Sequence, residues 1–492
     1  MATVNAASLR DEFEDAKARI EALRAHGKMS AEVDAVVRLL VTLLGILITV
    51  LLERTTRKGS KNSSLPPSQT DKDETARRDA SSPKGAKQNL QTGTGLRKTT
   101  IEETVTVEAC EACGGDLADV DAIDRERRIL YDIVFEVVER RVDAEVKECP
   151  ACRARTKGQF PDTMPGPLQY GVGLQAFVIT LLIAHMLSLR RAVALVQAIS
   201  GLRLSEATCL GYVRRLHDAL ASWEHAAIAH LLERPALHAD ETGFRVDGKT
   251  QWLHVVTDGA VTLKFMHRKR GKEAIEKIGI IPRYTGTLVH DCWASYFAYD
   301  QCSHQLCGGH LLRELTFIVD SNGFRWARLM KKLLREVCHR VNRSDTRTLS
   351  EAACRAVRKR YRTILTQGGN ELPVIPPKPK GKRGRIAKSD AHNLHERLAK
   401  HEESVLRFTR EPHTSFTNNT GEQKIRMAKV KIKVSGCFRT QLNAEAWCRI
   451  SSYLSSMAAL GYNPLVAIQI ALAGNAAKMI NLHDTQTELG KG

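Results

Sequence analysis

Long apolar runs are scarce in this chain of 492 residues. The longest uncharged one, Leu39 to Leu52, holds 14 residues between Arg38 and Glu53. A bilayer span needs ~20, so no membrane partner is expected. No signal-peptide pattern opens the sequence, and a cytoplasmic, reducing setting is the expectation. Twelve cysteines are too few for a disulfide scaffold over this length. Paired cysteines in a reducing setting point to metal instead. Acidic residues are also in deficit: 55 Asp and Glu against 74 Lys and Arg leave a net charge of +19. The excess is clustered, which points to a polyanionic partner, nucleic acid first.

Residues 1–55 read as a leucine-rich coiled-coil helix. Val33, Val37, Leu40, Leu44, Leu47 and Leu51 make a heptad seam, with Leu39, Leu43, Ile46 and Val50 as a second seam beside it. Two seams suit a homo-oligomeric bundle or docking on the rest of the chain. Residues 56–97 are rich in Ser, Lys, Asp, Thr and Gly and read as a flexible linker. Residues 98–160 carry Cys110 and Cys113, then Cys149 and Cys152. Two such knuckles can give four thiolates to one structural zinc, although they would also read as two redox pairs. Ile129 to Val142, between them, looks like strand.

Residues 165–232 read as helices: Gly171 to Leu187, Leu189 to Ile199 with Ser188 as cap, then a helix capped by Ser205. The Gly201 turn between the last two gives a helix-turn-helix outline, with Arg214 and Arg215 set to meet DNA. A helical hairpin with no such role has the same outline.

Residues 233–440 carry the acidic constellation. Leu237 to Val246, Gln251 to Thr257 and Val261 to His267 read as strands joined at Asp247-Gly248 and Asp258-Gly259, both hairpin signals. A helix from Gly271 to Ile278 would return the chain, so that a strand over Gly286 to Asp291 pairs parallel with the first. Asp240 and Asp291 would then sit side by side, as a magnesium site requires. Glu241 alternates to the other face and is the second choice. Glu422, in the first turn of a helix capped by Asn or Thr, is the expected third ligand. Lys424, Arg426, Lys429, Lys431, Lys433 and Arg439 follow it and suit a DNA backbone. An insertion at about 320–412 is expected. It includes a basic helix, Phe324 to Arg343, and a cationic stretch with Lys380, Lys382, Arg383 and Arg385. His310 and Arg313 are expected near the site, on DNA. Cys302, His304, Cys307 and His310 raise the question of a second metal, but their spacing is irregular. Residues 441–492 read as a C-terminal helical region.

Four blocks carry a resemblance. His238-Ala239-Asp240-Glu241-Thr242, Val289-His290-Asp291-Cys292-Trp293, Asn418-Asn419-Thr420-Gly421-Glu422 and Lys431 through Arg439 resemble the catalytic blocks of the insertion-sequence-66 family of bacterial transposases. The Ser64-Leu65-Pro66-Pro67-Ser68 linker, the two knuckles and the leucine-rich helix resemble that family in the same order. The resemblance implies a multidomain α/β protein with a ribonuclease-H-like mixed-sheet core. It also implies a triad of Asp240, Asp291 and Glu422 holding two magnesium (or manganese) ions, and strand cleavage and transfer on double-stranded DNA at transposon ends and target. Small accessory proteins and a nucleoid-associated location in a bacterial cytoplasm are further implications. One position departs from the pattern: Gln423 stands where an Arg usually follows the third carboxylate. A DNA-binding repressor derived from a transposase and a metal-dependent nuclease are the alternatives. Tyrosine and serine recombinases are disfavoured, because no Arg-His-Arg-Tyr set or serine nucleophile block is found.

Overall fold

A computed structural model describes residues 6–27, 29–56, 58, 62, 102–130, 136–375 and 388–483. They fall in two compact units, one from 1–87 with 224–455 and one from 88–223 with 456–492. Elements are numbered along the chain.

The first unit opens with two helices where the sequence suggested one: α1 (Ala6–Ala25) and α2 (Ala31–Thr55). Ser30 caps α2 through Val33 N–H, and Arg24 bridges to Asp34 at 2.6 Å. The face that α2 buries is small and polar: Gly45, Thr49, Leu52 and Glu53. Both leucine seams face outward, with Leu47 63% exposed. The buried Glu53 carboxylate accepts the N–H groups of Asp390 and Ala391 at 2.7 and 3.0 Å. The 14-residue run proves to be the middle of a 25-residue helix that is long and apolar enough to cross a bilayer. The expectation of too short a span is corrected, because the helix continues past Arg38 through the apolar Val33, Ala35, Val36 and Val37. Of the expected linker only Thr56, Lys58 and Asn62 are described.

The second unit holds the knuckles and the helical region. The short strands β1 (Val146–Glu148) and β2 (Arg155–Lys157) flank the second knuckle as an antiparallel pair. The described part of Ile129 to Val142 carries no strand, contrary to the expectation. Its side chains are exposed, Leu130 at 91%, and a strand-prone run without a ladder partner leaves its backbone to water. Helix α3 (Val172–Ile179) continues as a π turn over Thr180–Ala184, before α4 (Leu189–Ser200) and α5 (Glu206–Ala219). Gly201 ends α4 in the left-handed conformation, and Ser205 caps α5 through Thr208 N–H. Ser188 stands at the α4 cap but makes no side-chain bond there. Helix Pro464–Leu472 packs against α3 and α5.

In the first unit again, α6 (Ala221–Leu232) leads to β3 (Ala236–Val246), β4 (Lys249–Thr257) and β5 (Thr262–His267), an antiparallel meander as expected. Asp247 and Gly248 both have positive φ, the signature of a two-residue hairpin turn. After α7 (Lys272–Ile278) the chain returns as β6 (Thr287–His290), parallel to β3. A fifth strand that the sequence did not suggest, β7 (Ser303–Leu306), adds parallel to β6. The sheet order is β5-β4-β3-β6-β7. Gln305 hides β7 from pattern reading: this fully buried polar residue accepts Phe408 N–H instead of leaving an apolar position.

After α8 (Gly308–Asn322), the expected insertion is helical, with α9 (Arg325–Arg343), α10 (Glu351–Glu371), α11 (Asp390–Lys400) and α12 (Glu402–Leu406), and α8 packs into the same layer. Its core gathers Leu315, Phe324, Trp326, Met330, Tyr361 and Leu394. The chain then enters α13 (Asn419–Ser435) and α14 (Gln441–Ala459). Trp326 is fully buried against His395, with ring centroids 5.3 Å apart. Trp326→Ala is expected to cost about 3–5 kcal/mol of stability, read by chemical denaturation of the full chain.

Candidate active site

The β3–β6 register pairs Ala236 with Thr287 and His238 with Val289. Carried two residues on, the same register sets Asp240 beside Asp291, just past the end of β6. Asp291 lies in a tight turn. Its Oδ1 accepts Trp293 N–H at 3.0 Å, and Cys292 has φ +75°. A left-handed backbone at a residue other than glycine stores about 1–3 kcal/mol. Cys292 N–H donates to His290 Nδ1 at 3.2 Å, which helps hold the turn. With Nδ1 accepting, His290 carries its proton on Nε2 and donates to His304 Nδ1 at 3.1 Å; His304 Nε2–H in turn donates to Tyr299 O at 3.1 Å. Burial, reinforced by the neighbouring imidazoles, holds the His290 pKa well below its ordinary value.

Glu422 comes from α13, which packs across β3 and β4. Asn418 stands at the N-cap position but makes no capping bond. Its fully buried amide instead joins the helix to the strand of Asp240. Nδ2 donates to Ala239 O at 2.8 Å, and Oδ1 accepts His238 Nδ1–H at 2.9 Å. Asn418 O accepts Glu422 N–H at 3.0 Å, so the same residue starts the turn that presents Glu422. The sequence suggested a helix cap here and missed this clamp; a fully buried Asn could not be told from an exposed one.

The three carboxylates share one electrostatic neighbourhood. Burial, and then the charges of Glu241, Asp291 and Glu422, push the Asp240 carboxyl up to about 8. Alternation turns Glu241 the other way, as expected. Its carboxylate pairs with Arg270 at 2.6 Å and accepts the Tyr296 hydroxyl at 2.6 Å. Arg270 in turn lies over the rings of Trp252 and Trp293, 4.9 and 4.5 Å from their centroids. Glu241 is therefore tied into the scaffold. Asp240 and Asp291 offer oxygen donors alone, the set that suits a hard divalent cation.

His310 and Arg313 lie beside Glu422 as expected, at 3.5 and 3.9 Å from its Oε1. The quartet of Cys302, His304, Cys307 and His310 does not assemble: Cys302 Sγ–H and His304 Nε2–H both donate to Tyr299 O. Along α13, Arg426, Lys429 and Lys433 are exposed, as is Arg439 beyond it, while Lys424 and Lys431 are partly buried. Burial lowers the pKa of both partly buried lysines. Gln423 is exposed. In the second unit Arg214 and Arg215 are exposed on α5, with Arg215 donating to Gln175 at 3.1 Å. Lys380, Lys382, Arg383 and Arg385 lie outside the described residues.

The two knuckles are near copies. Gly114 N–H donates to Cys110 O, and Arg153 N–H to Cys149 O, each at 2.8 Å, with positive φ at both Gly114 and Arg153. Backbone N–H groups lower the thiol pKa of Cys110 and of Cys149. The four sulfurs are not closed into one donor set. Among the described residues, the one group of three or more His, Cys, Asp or Glu donors within ligand distance is Cys307, His310 and Glu422.

The mixed sheet thus holds Asp240 within β3 beside Asp291 just past the end of β6, with the basic helix α13 packed across β3 and β4. The family model described as transposase IS66 family matches residues 167–446, more than half of the chain, and the chain belongs to that family. No curated protein matches it. Members of a transposase family act on DNA, and transposases with an acidic triad use divalent metal ions.

One consequence concerns stability. A carboxyl pushed from 3.8 to about 8 binds its proton more tightly in the folded than in the unfolded chain. It costs nothing below pH 4, and the cost grows as the pH rises toward 8. With divalent ions chelated, Asp240→Asn is therefore expected to raise Tm at pH 8. The gain should shrink to nothing near pH 4 in a thermal melt series.

Proposed function

We propose that this chain is a transposase that cleaves and joins DNA at transposon ends. Asp240, Asp291 and Glu422 are its metal-binding carboxylates, and its core is ribonuclease-H-like. The observation that carries this reading is the parallel register that sets Asp240 beside Asp291, with Glu422 on a helix tied to the same strand by Asn418. Two magnesium ions, when bound, would activate the attacking water or 3′-hydroxyl and offset charge on the leaving oxygen. The chain's own residues position and neutralise. Asp240, crowded by carboxylates when free of metal, gives up its proton to take a cation, so cation affinity rises with pH toward 8. Arg426, Lys429, Lys433 and Arg439 face solvent along the Glu422 helix and its exit and suit a phosphate backbone. His310 and Arg313 are placed to meet the phosphate nearest Glu422. Arg214 and Arg215 suit a second DNA contact, and the Lys380 to Arg385 stretch a third. The knuckles of Cys110, Cys113, Cys149 and Cys152 hold a structural zinc, and the protein acts in the bacterial cytoplasm, at the nucleoid.

The outward seams of α2 serve a second copy of the chain. At roughly half exposure, its eight large apolar side chains offer an area on the order of the ~800 Å² per partner of a standard interface. Leu40→Glu with Leu47→Glu is expected to turn the oligomer into a monomer in sedimentation. Release from vesicles with no change in oligomeric state would mark α2 as a membrane helix.

The function itself is tested on labelled transposon-end DNA, wild type against Glu422→Gln, with magnesium and with EDTA. Magnesium-dependent nicking lowered at least ~10³-fold in the variant, with DNA binding retained, is the expected result. Joining to a second duplex separates transposase from nuclease. A folded wild-type protein that binds DNA and never nicks it would make the chain a repressor.

A further inference from the structure

The closed donor set at Cys307, His310 and Glu422 differs in chemistry from the neighbouring carboxylates. Cys307 caps α8, and His310 follows one turn later on the same side of the helix. Cys307 Sγ accepts Asn418 N–H at 3.1 Å, the kind of bond that stabilises a thiolate, and lies 3.9 Å from Glu422 Oε1. His310 Nδ1 is 3.5 Å from the same oxygen, buried and without a hydrogen-bond partner. A buried ring nitrogen with nothing to bond is costly. All three donor atoms lie within 4.8 Å of one another. Tetrahedral zinc, with bonds of about 2.0 to 2.3 Å, holds its donors roughly 3.3 to 3.8 Å apart, so small side-chain rotations close this set around one ion. Sulfur and imidazole favour zinc over magnesium.

We propose that Cys307 Sγ, His310 Nδ1 and Glu422 Oε1 form a zinc site whose fourth position stays open to water or a DNA phosphate oxygen. The site shares Glu422 with the proposed magnesium centre. It rests on the transposase reading only for the meaning of that sharing: zinc here holds Glu422 on the His310 side, so loading it slows magnesium-dependent cleavage. The quartet in the sequence pointed at the wrong partners. Cys307 and His310 are joined by a carboxylate 112 residues beyond His310 rather than by Cys302 and His304.

The test is cobalt(II) substitution in the full chain, followed by absorption spectroscopy and metal counting. Wild type is compared with Cys307→Ser, His310→Gln, Glu422→Gln and Asp240→Asn, each checked for folding by circular dichroism. The expected result is one cobalt equivalent beyond that of the knuckles, with a single-thiolate charge-transfer band. It should be absent from the first three variants, kept in Asp240→Asn, and superimposed on the four-thiolate signal of the knuckles. The same band and stoichiometry in wild type and His310→Gln would overturn the proposal, as would loss of the band in Asp240→Asn alone. If Cys307→Ser does not fold, His310→Gln decides. The readout is independent of cleavage, so a protein that never nicks DNA can still pass, and an active one can still fail.

Discussion

The parallel pairing of β3 with β6 is the constraint on which the rest of this sheet-bearing unit depends. It joins segments about fifty residues apart and sets their register within one residue. A slip of one residue would turn Asp240 to the opposite face and bring up Glu241, which belongs to Arg270 and Tyr296. The meander, the returning helix α7 and the added strand β7 all serve to hold this pair of strands in the middle of the sheet.

The site is assembled against an electrostatic cost. Burial of Asp240, and after it the repulsion of the neighbouring carboxylates, raises its proton affinity. The surroundings hold the geometry largely by bonds between neutral groups, the Asn418 amide on β3 and the chain of neutral imidazoles behind Asp291, while the Asp291 carboxylate itself accepts Trp293 N–H. The close charge pairs lie one layer away, between Glu241 and Arg270 and between Glu314 and Arg397, while Arg313 stands at 3.9 Å from Glu422 itself. A cation is thus left as the principal partner for the acidic face.

Glu422 stands at the meeting of two chemistries. On one side lie the oxygen donors of the strands; on the other lie a thiol and an imidazole from the start of α8. This second neighbourhood exists because α13 and α8 begin side by side, with Gly308 N–H donating to Phe416 O at 2.7 Å. A Cβ on Gly308 would fall 2.1 Å from the Phe416 ring, so only glycine allows that approach.

Much of the sheet-bearing unit was legible in the sequence because its signals are local. Strand alternation, the Asp247-Gly248 turn and the Ser205 cap act over a few residues, and all produced the elements or turns they predict. The order of meander, helix and strand even carried the Asp240–Asp291 pairing, since few connections allow a parallel return. What the sequence left open depends on partners distant in the chain. The described part of Ile129 to Val142 has strand composition but no ladder partner, whereas β7 has the partner without the pattern. The leucine seams of α2 face outward because the residues small enough to meet Phe13 and Pro373 closely include Gly45. Asn418 reads as a cap until the strand beside it is in place, and Cys307 and His310 acquire Glu422 only once α8 and α13 begin together. The residue types, their local spacing and the order of the first four strands of the sheet, β5-β4-β3-β6, were thus determined by the sequence itself. Which side chains meet across the fold was decided by tertiary packing, because burial and contact at each of these positions depend on residues that no local pattern specifies.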